Sequence, residues 1–184
     1  KESDYNKRKV TTIVSATSSP ALLEIATKTD PGMVRNLNED SMAVARELGL
    51  LVLADGMGGY KAGDVASNLA IRTTVDELTR DLQREPQGDV AALTAQAIKK
   101  ANGAIFPEGL QRMLKTGASR DQRIGSTLAL LLFRQDRVTL AHVGDYRIYR
   151  LRSGRLELLT RDHSLLQEQI DQGMLSADDA KTSH

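Results

Sequence analysis

The stretch LLVLADGMGG, at residues 50–59, decides how this sequence folds. Its first five residues form an apolar run that is typical of a buried strand. Asp55 stands at the end of that run, and the glycines after it allow a ligand to approach the backbone closely. The simpler interpretation is a glycine-rich turn between a strand and a helix. The stretch is not a P-loop, because no Gly-Lys-Ser/Thr follows, and it lacks the GxGxxG spacing of a dinucleotide-binding loop.

Helices are predicted directly after this stretch. Apolar residues at three- and four-residue spacing predict amphipathic helices at 65–82 and 90–105, and a shorter helix is predicted at 165–173. Strands are predicted on both sides, at residues 22–27, 41–45, 50–54, 126–133, 137–142, 146–151 and 156–160. The last four have short connections, which predict an antiparallel meander. Runs of strands interrupted by a pair of helices favour an α+β fold over an alternating parallel sheet.

The composition limits the chemistry that the chain can perform. Its 184 residues, 40% of them hydrophobic, suit one core, with residues 1–20 as a flexible N-terminal arm and residues 21–184 as the domain. The chain has no Cys, which excludes disulfides, thiolate metal sites and a cysteine nucleophile. It has only three His. Asp and Glu total 24, so carboxylates are the residues available for metal or acid–base chemistry.

Charge and hydropathy exclude two classes of partner. The net charge of +1 provides no electrostatic footprint for nucleic acid. The longest apolar runs, at residues 50–54 and 128–133, are far below the roughly 20 residues that span a bilayer. We therefore expect neither a nucleic acid nor a membrane as partner. The amino end lacks an apolar signal-peptide core, and we expect a cytoplasmic location.

Four short motifs contain residues that could carry chemistry. They are RNLNED at residues 35–40, DGMGG at 55–59, GST at 125–127 and HVGDYR at 142–147. Each has a plain structural interpretation: a solvated turn, a glycine-rich connection, the start of a strand and a tight hairpin, respectively. None of the four is decisive by itself.

Taken together and in this order, the motifs resemble the metal-dependent protein phosphatases of the type 2C (PPM) family. The matching segments are RNLNED at 35–40, LVLADGMGG at 51–59, Gly63, Ala66-Ser67, GSTLAL at 125–130, AHVGDYRIYR at 141–150 and TRDHSL at 160–165. The resemblance implies an α+β sandwich of two antiparallel sheets flanked by helices. It also implies that residues 21–184 are the N-terminal two-thirds of a phosphatase catalytic domain, incomplete at the C-terminus.

The resemblance also implies the reaction and the residues that perform it. It predicts hydrolysis of phosphoserine and phosphothreonine in proteins by a metal-activated water, with Mn²⁺ or Mg²⁺ as cofactor and two or three ions in the complete domain. Asp55 is expected to bridge two ions, Gly56 to offer its carbonyl oxygen, and Glu39 and Asp40 to form the acidic pair. Arg35 is expected to bind the substrate phosphate through two parallel hydrogen bonds. The expected catalytic residues are thus Arg35, Asp40 and Asp55.

The HVGDYR and TRDHSL motifs add one further expectation and one structural interpretation. Asp145 matches a position associated with a weaker third metal ion, and Tyr146 stands where Ser is usual. Asp162, His163 and Ser164 are interpreted as a polar corner before the last helix. Met57 replaces the His of some relatives, so the leaving-group proton must come from metal-bound water or from a group that the motifs do not identify.

A second interpretation belongs to a different class of function. The family pattern continues beyond His184 with a Ser-Asp-Gly segment and an Asp-Asn segment whose carboxylates complete the metal cluster. A chain without them is expected to bind metal poorly and to turn over slowly. The alternative is therefore a non-catalytic module that binds phosphoproteins or has a regulatory role. Expected partners are phosphorylated proteins, with a cognate Ser/Thr kinase and its substrates among the candidates.

Overall fold

The computed structural model describes residues 11–14, 23–35, 37–58, 62–116 and 124–174. The chain divides into two compact units, Lys1–His142 and Val143–His184. The strands are β1 Thr11–Val14, β2 Asp40–Ala45, β3 Leu50–Met57, β4 Gly125–Ser126, β5 Leu128–Arg134, β6 Arg137–Val143, β7 Tyr149–Arg152 and β8 Arg155–Leu158. The helices are α1 Ala62–Arg84, α2 Val90–Thr116 and α3 Leu165–Asp171. None of the described helices is both long and apolar enough to cross a membrane.

The first unit is organised around a six-stranded sheet with the strand order β1-β6-β5-β3-β2, in which β4 also pairs with β3. The central strand β3 runs antiparallel to β2 on one side and to β5 on the other. Side chains alternate along β3, and those of Leu50, Val52 and Ala54 are buried on one face. The apolar run that opens the DGMGG stretch is therefore the middle of the sheet.

Helix α1 packs on that buried face of β3, and α2 packs on α1. Ala66, Ala70 and Leu78 lie on the buried stripe of α1, at the helical spacing that the sequence predicts. The largest fully buried apolar side chains are Leu50, Leu78, Leu130, Leu132 and Leu140. Each Å² of apolar surface that is buried contributes about 25 cal/mol, and this stabilises the packing of the helix pair on the sheet.

The second unit contains a hairpin and a short helix. In the hairpin, β7 pairs antiparallel with β8, so that Tyr149 lies opposite Leu158 and Leu151 lies opposite Leu156. Ser153 and Gly154 form its turn, both with positive φ, as a two-residue hairpin requires. The Ser164 hydroxyl accepts a hydrogen bond from the Gln167 amide and caps α3.

Most predicted elements are confirmed. The two long helices, the short final helix, the strand after residue 40 and the β5–β6 hairpin all appear, and they make an α+β fold. Helix α2 continues through Pro107 to Thr116, beyond its predicted end. Phe106, next to that proline, is 74% exposed.

The N-terminal part of the structure differs from the predictions. Residues 23–27, the described part of the strand predicted at 22–27, form no strand, and the sheet edge beside β6 is occupied by β1. Strand β1 lies inside the segment expected to be an arm, because its four residues complete the β6 ladder; the rest of that arm lies outside the described residues.

The meander prediction is wrong beyond β6. Strands β7 and β8 form a separate two-stranded sheet, because the non-strand residues 144–148 interrupt the ladder. The strand predicted at 126–133 is also divided, at Thr127, into β4 and β5.

Candidate active site and metal centre

Asp40 and Asp55 lie directly opposite each other on β2 and β3. Directly opposed residues of an antiparallel pair have Cβ atoms roughly 4.5–5.5 Å apart and project from the same face of the sheet. Both side chains are half-buried. Two carboxylates placed side by side in this way can share a divalent cation, so the pairing fits the metal site that the sequence predicts.

Polar groups of the preceding loop hold Asp40 in place. The Asn38 side-chain oxygen accepts a hydrogen bond from the Asp40 amide at 3.1 Å. The Asn38 amide group donates to the Thr29 hydroxyl at 2.6 Å, and that hydroxyl donates to Asp40 Oδ2 at 3.4 Å. Asn38 therefore links the start of β2 to the loop before it through both polar atoms of its side chain.

Asp55 is held by the hydroxyl residues of the GST motif. The Thr127 amide donates to the Asp55 carbonyl oxygen at 2.9 Å, and the Asp55 amide donates to Thr127 Oγ1 at 3.1 Å. The Ser126 hydroxyl donates to the same carbonyl oxygen at 3.1 Å. The motif that the sequence analysis interpreted as a plain strand start thus fixes the backbone of the central carboxylate.

Glu39 is turned toward the start of α1. Its Oε1 accepts a hydrogen bond from the Gly63 amide at 3.1 Å, in the first turn of that helix. Its carbonyl oxygen accepts from Ser67 Oγ at 2.7 Å and from the Gly56 amide at 3.1 Å. Ser67 is fully buried. Glu39 therefore joins β2, β3 and α1, and its carboxylate complements the positive end of the helix dipole.

Gly56 and Gly63 let β3 and α1 touch through their backbones. A Cβ atom placed on Gly56 would lie 1.8 Å from the Gly63 carbonyl oxygen. A Cβ atom on Gly63 would lie 2.6 Å from Glu39 Oε1 and 2.6 Å from the Gly56 carbonyl oxygen. Both glycines are needed for close approach, and the Gly56 carbonyl lies on the α1 side of β3.

The oxygen donors at this site fit a hard divalent cation in kind. Carboxylate and main-chain carbonyl oxygens are the ligands that Mg²⁺ and Mn²⁺ prefer, and Asp40, Asp55 and Gly56 supply them. Within the described ranges, however, no three His, Asp or Glu side chains form a cluster able to hold a metal ion. The described residues thus fit the Asp40–Asp55 side of such a centre.

The remaining predicted site residues are Arg35 and Asp145. Arg35 is exposed in the loop that leads to Asp40. Asp145 belongs to the second unit, where it is exposed in the turn between β6 and β7. The structure thus brings Asp40, Asp55, Glu39 and Gly56 together in the first unit.

Two reciprocal contacts hold the turn that carries Asp145. The Gly144 amide donates to His163 Nδ1 at 3.3 Å, and the His163 amide donates to the Gly144 carbonyl oxygen at 2.9 Å. Arg147 forms a bidentate ion pair with Asp162, with N···O distances of 2.6–3.1 Å. The Asp162 hydrogen bonds raise the pKa of Arg147 above its ordinary value, so the guanidinium stays charged.

A cavity of about 490 Å³ lies away from the paired carboxylates. Its lining includes Asp89, Arg134 and Arg137. Because Leu132 of β5 pairs with Leu50 at the start of β3, Arg134 and Asp55 lie toward opposite ends of the sheet. The cavity is therefore separate from the paired aspartates.

Sequence reasoning missed several residues that support the site. Asn38, Gly63 and Ser67 appeared only as parts of motifs, without a role of their own. The usable signal was chemical, because each is a small or short polar residue beside an Asp or Glu motif. Their partners could not be found from the sequence, since Ser67 and Glu39 are 28 residues apart and Thr127 and Asp55 are 72 apart.

An α+β fold with two aspartates opposed at the end of a central antiparallel pair suits a domain that binds divalent cations through carboxylates. The model of the family described as protein phosphatase 2C matches residues 34–175. The chain belongs to that family, as the ordered motifs predicted.

Curated relatives agree with this assignment. The serine/threonine protein phosphatase PstP of Mycobacterium tuberculosis is 38% identical over 159 residues, covering 86% of this chain and 29% of that protein. The serine/threonine phosphatase stp of Listeria monocytogenes is 33% identical over 156 residues, covering 83% of this chain and 60% of that protein. The chain thus spans less than two-thirds of the length of either relative.

Solved structures show the same fold. The crystal structure of the Mycobacterium tuberculosis phosphatase PstP/Ppp has a TM-score of 0.69 at 37% identity, covering 84% of this chain and 61% of that one. The PstP catalytic domain in complex with two manganese ions has a TM-score of 0.67 at 37% identity, covering 83% of this chain and 61% of that one. These similarities confirm the predicted type 2C phosphatase fold class.

Proposed function

We propose that the protein containing this chain hydrolyses phosphoserine and phosphothreonine in proteins in a reaction that depends on Mn²⁺ or Mg²⁺. The observation that carries the proposal is the direct opposition of Asp40 and Asp55 in a member of the protein phosphatase 2C family. The manganese-bound structure of the PstP catalytic domain supports the choice of metal.

Asp40 and Asp55 would hold the cations in this proposal, with Asp55 as the central carboxylate and the Gly56 carbonyl oxygen as a further ligand. Bound divalent cations supply activation of water and neutralise the charge of the phosphate. Glu39 orders the backbone of Asp40 and Gly56 through its contacts with α1, and it contributes to the metal site as the second acid of the motif. Asp145 is assigned to a weaker third ion.

Arg35 binds the substrate phosphate in this proposal. Its planar guanidinium can donate two parallel hydrogen bonds to phosphate oxygens, which a lysine ammonium cannot do. The side chain is exposed and so is accessible to a phosphorylated segment of another protein. Phosphorylated proteins are the substrates, a cognate Ser/Thr kinase and its substrates are the proposed partners, and the cytoplasm is the proposed location.

Metal dependence is the first test of the proposal. We expect the protein to hydrolyse an aryl phosphate and a phosphothreonine peptide with Mn²⁺, and to lose this activity in excess chelator. Release of inorganic phosphate measures both, and re-addition of Mn²⁺ restores the activity if the chelator acts by removing the ion. Turnover that persists in chelator would contradict the proposal.

The alternative is a non-catalytic binding module, and one observation favours it: within the described residues, no three His, Asp or Glu side chains form a group able to hold a metal ion. Calorimetry with Mn²⁺ and a phosphothreonine peptide distinguishes the two functions. A binding module retains the peptide without releasing phosphate, and its affinity for the peptide does not depend on Mn²⁺. Tight binding of two Mn²⁺ ions favours the enzyme.

Substitution of Arg35 tests the phosphate-binding assignment. We expect Arg35→Ala to lower kcat/KM for a phosphothreonine peptide by about 10- to 100-fold, the loss of a charge-assisted hydrogen bond of roughly 1.5–3 kcal/mol. Arg35→Lys keeps the charge without the bidentate geometry and should recover only part of the loss. Arg46, an exposed arginine at the other end of β2, provides the control Arg46→Ala. Equal effects at both positions would contradict a specific role for Arg35.

A further inference from the structure

The TRDHSL motif lies beside the turn that carries Asp145, a proximity the sequence did not suggest. Residues 159–163 are hydrogen-bonded to residues 144–148 beyond the end of the β7–β8 ladder. The Ile148 carbonyl accepts from the Leu159 amide at 2.8 Å, and the Ile148 amide donates to the Thr160 hydroxyl at 3.0 Å. The contacts of His163 with Gly144 continue this series.

His163 fixes both polar groups of the Gly144 backbone. Its ring Nδ1 accepts from the Gly144 amide, and its own amide donates to the Gly144 carbonyl oxygen. Because Nδ1 is an acceptor in this contact, the neutral ring carries its proton on Nε2. Gly144 has a φ of 98°, in the region that favours glycine, and glycine has more backbone freedom to lose than any other residue.

Arg147 and Asp162 fix the other end of the same turn through their bidentate ion pair. Asp145 lies between these two attachments and is itself exposed. A carboxylate on an exposed turn loses conformational freedom when it binds a cation, and a turn that is already held reduces this cost. Groups that orient a metal ligand in this way typically change metal affinity by about 10- to 100-fold when they are removed.

We propose that His163 is a positioning residue for Asp145, acting through its two hydrogen bonds to Gly144. The inference rests on the proposed function, since it takes Asp145 as a ligand of a divalent cation. It replaces the interpretation of residues 162–164 as a merely structural corner.

The position of the acceptor atom makes the inference testable with matched substitutions. In His163→Asn the side-chain oxygen occupies the place of Nδ1 and can accept from the Gly144 amide. In His163→Gln the oxygen lies one bond further out, and in His163→Leu there is no acceptor. His163 is exposed, so we expect all three variants of the 184-residue chain to fold.

Mn²⁺ titration of these variants, with Asp145→Ala as reference, is the first measurement. We expect Asp145→Ala to remove one weak binding step. His163→Leu and His163→Gln should weaken that step about 10-fold or more, and His163→Asn should keep it within about 3-fold of the parent chain. Asp145→Ala combined with His163→Leu should bind no more weakly than Asp145→Ala alone, because His163 acts through Asp145.

Hydrogen exchange of the Gly144 amide is a second measurement that needs no metal. We expect faster exchange in His163→Leu and His163→Gln, and exchange close to that of the parent chain in His163→Asn. If the weak Mn²⁺-binding step is present and unchanged in His163→Leu, the inference about His163 is overturned, while the proposed function is not affected. If Asp145→Ala removes no Mn²⁺-binding step of the parent chain, Asp145 is not a ligand, and the inference fails with it.

Discussion

Asp55→Asn is expected to weaken Mn²⁺ binding by more than about 100-fold and, in the metal-free protein, to raise the free energy of unfolding. The two effects have opposite signs because one carboxylate has two roles. With metal, Asp55 is the proposed bridging ligand, and an amide oxygen is a much poorer ligand than a carboxylate. Without metal, its charge faces that of Asp40 across the β2–β3 pair.

The size of the stabilisation follows from the cross-strand geometry. Like charges directly opposite on an antiparallel pair cost roughly 0.2–1 kcal/mol, and asparagine removes one of the two charges. The hydrogen bonds between Asp55 and Thr127 involve the Asp55 backbone, so the substitution keeps them. Thermal unfolding in chelator measures the stability, and calorimetry measures Mn²⁺ affinity.

Asp136→Asn is the matched control for Asp55→Asn, since Asp136 lies in the β5–β6 hairpin of the same unit and has Arg137 as a salt-bridge partner at 3.9 Å. We expect no change in Mn²⁺ affinity for this control. An Asp55→Asn protein that binds Mn²⁺ like the parent chain would refute the metal centre. One that is destabilised without metal would show that Asp55 is chiefly a structural residue.

Gly56→Ala is expected to lower the free energy of unfolding by about 2 to 3 kcal/mol, the cost typical of forcing extra volume into a packed region. The added Cβ would lie 1.8 Å from the Gly63 carbonyl oxygen, which is backbone and cannot rotate away. Strand β3 or helix α1 must shift, which also disturbs the hydrogen bond from the Gly56 amide to Glu39. In a protein of this size, the melting temperature should fall by about 4–12 °C.

Gly103→Ala provides the control for Gly56→Ala. A Cβ at Gly103, which is exposed inside α2, meets nothing within 4 Å. Alanine is favoured over glycine in a helix interior by about 0.5–1 kcal/mol, so this substitution should stabilise the protein. Equal melting temperatures for the two variants would contradict the close packing of β3 on α1.

The sequence predicts those parts of the fold that leave a local period. Helix α1 and strand β3 follow from apolar spacing, because each buries one stripe or one run of residues against the core. Strand β1 could not be predicted, since its only described support is the ladder with β6, more than 120 residues away in the sequence. The strand predicted at 22–27 fails for the same reason, because alternation without a partner strand does not make a strand.

The candidate site divides in a similar way. Asp40 and Asp55 were predicted to meet, and the register of β2 and β3 places them opposite each other. That Glu39 turns to the Gly63 amide could not be predicted, because it depends on where α1 begins in space. The contact between His163 and Gly144 could not be predicted either, because it depends on how residues 159–163 run beside residues 144–148.

The order of residues by itself determined the class of fold, the family and the carboxylates available for metal chemistry. These are properties of composition, period and motif, which neighbouring residues set among themselves. Tertiary structure alone decided which polar groups meet, including Ser67 with Glu39, Thr127 with Asp55 and His163 with Gly144. The physical reason is that a hydrogen bond between distant residues forms only where the packing of the whole core brings its two atoms within about 3 Å.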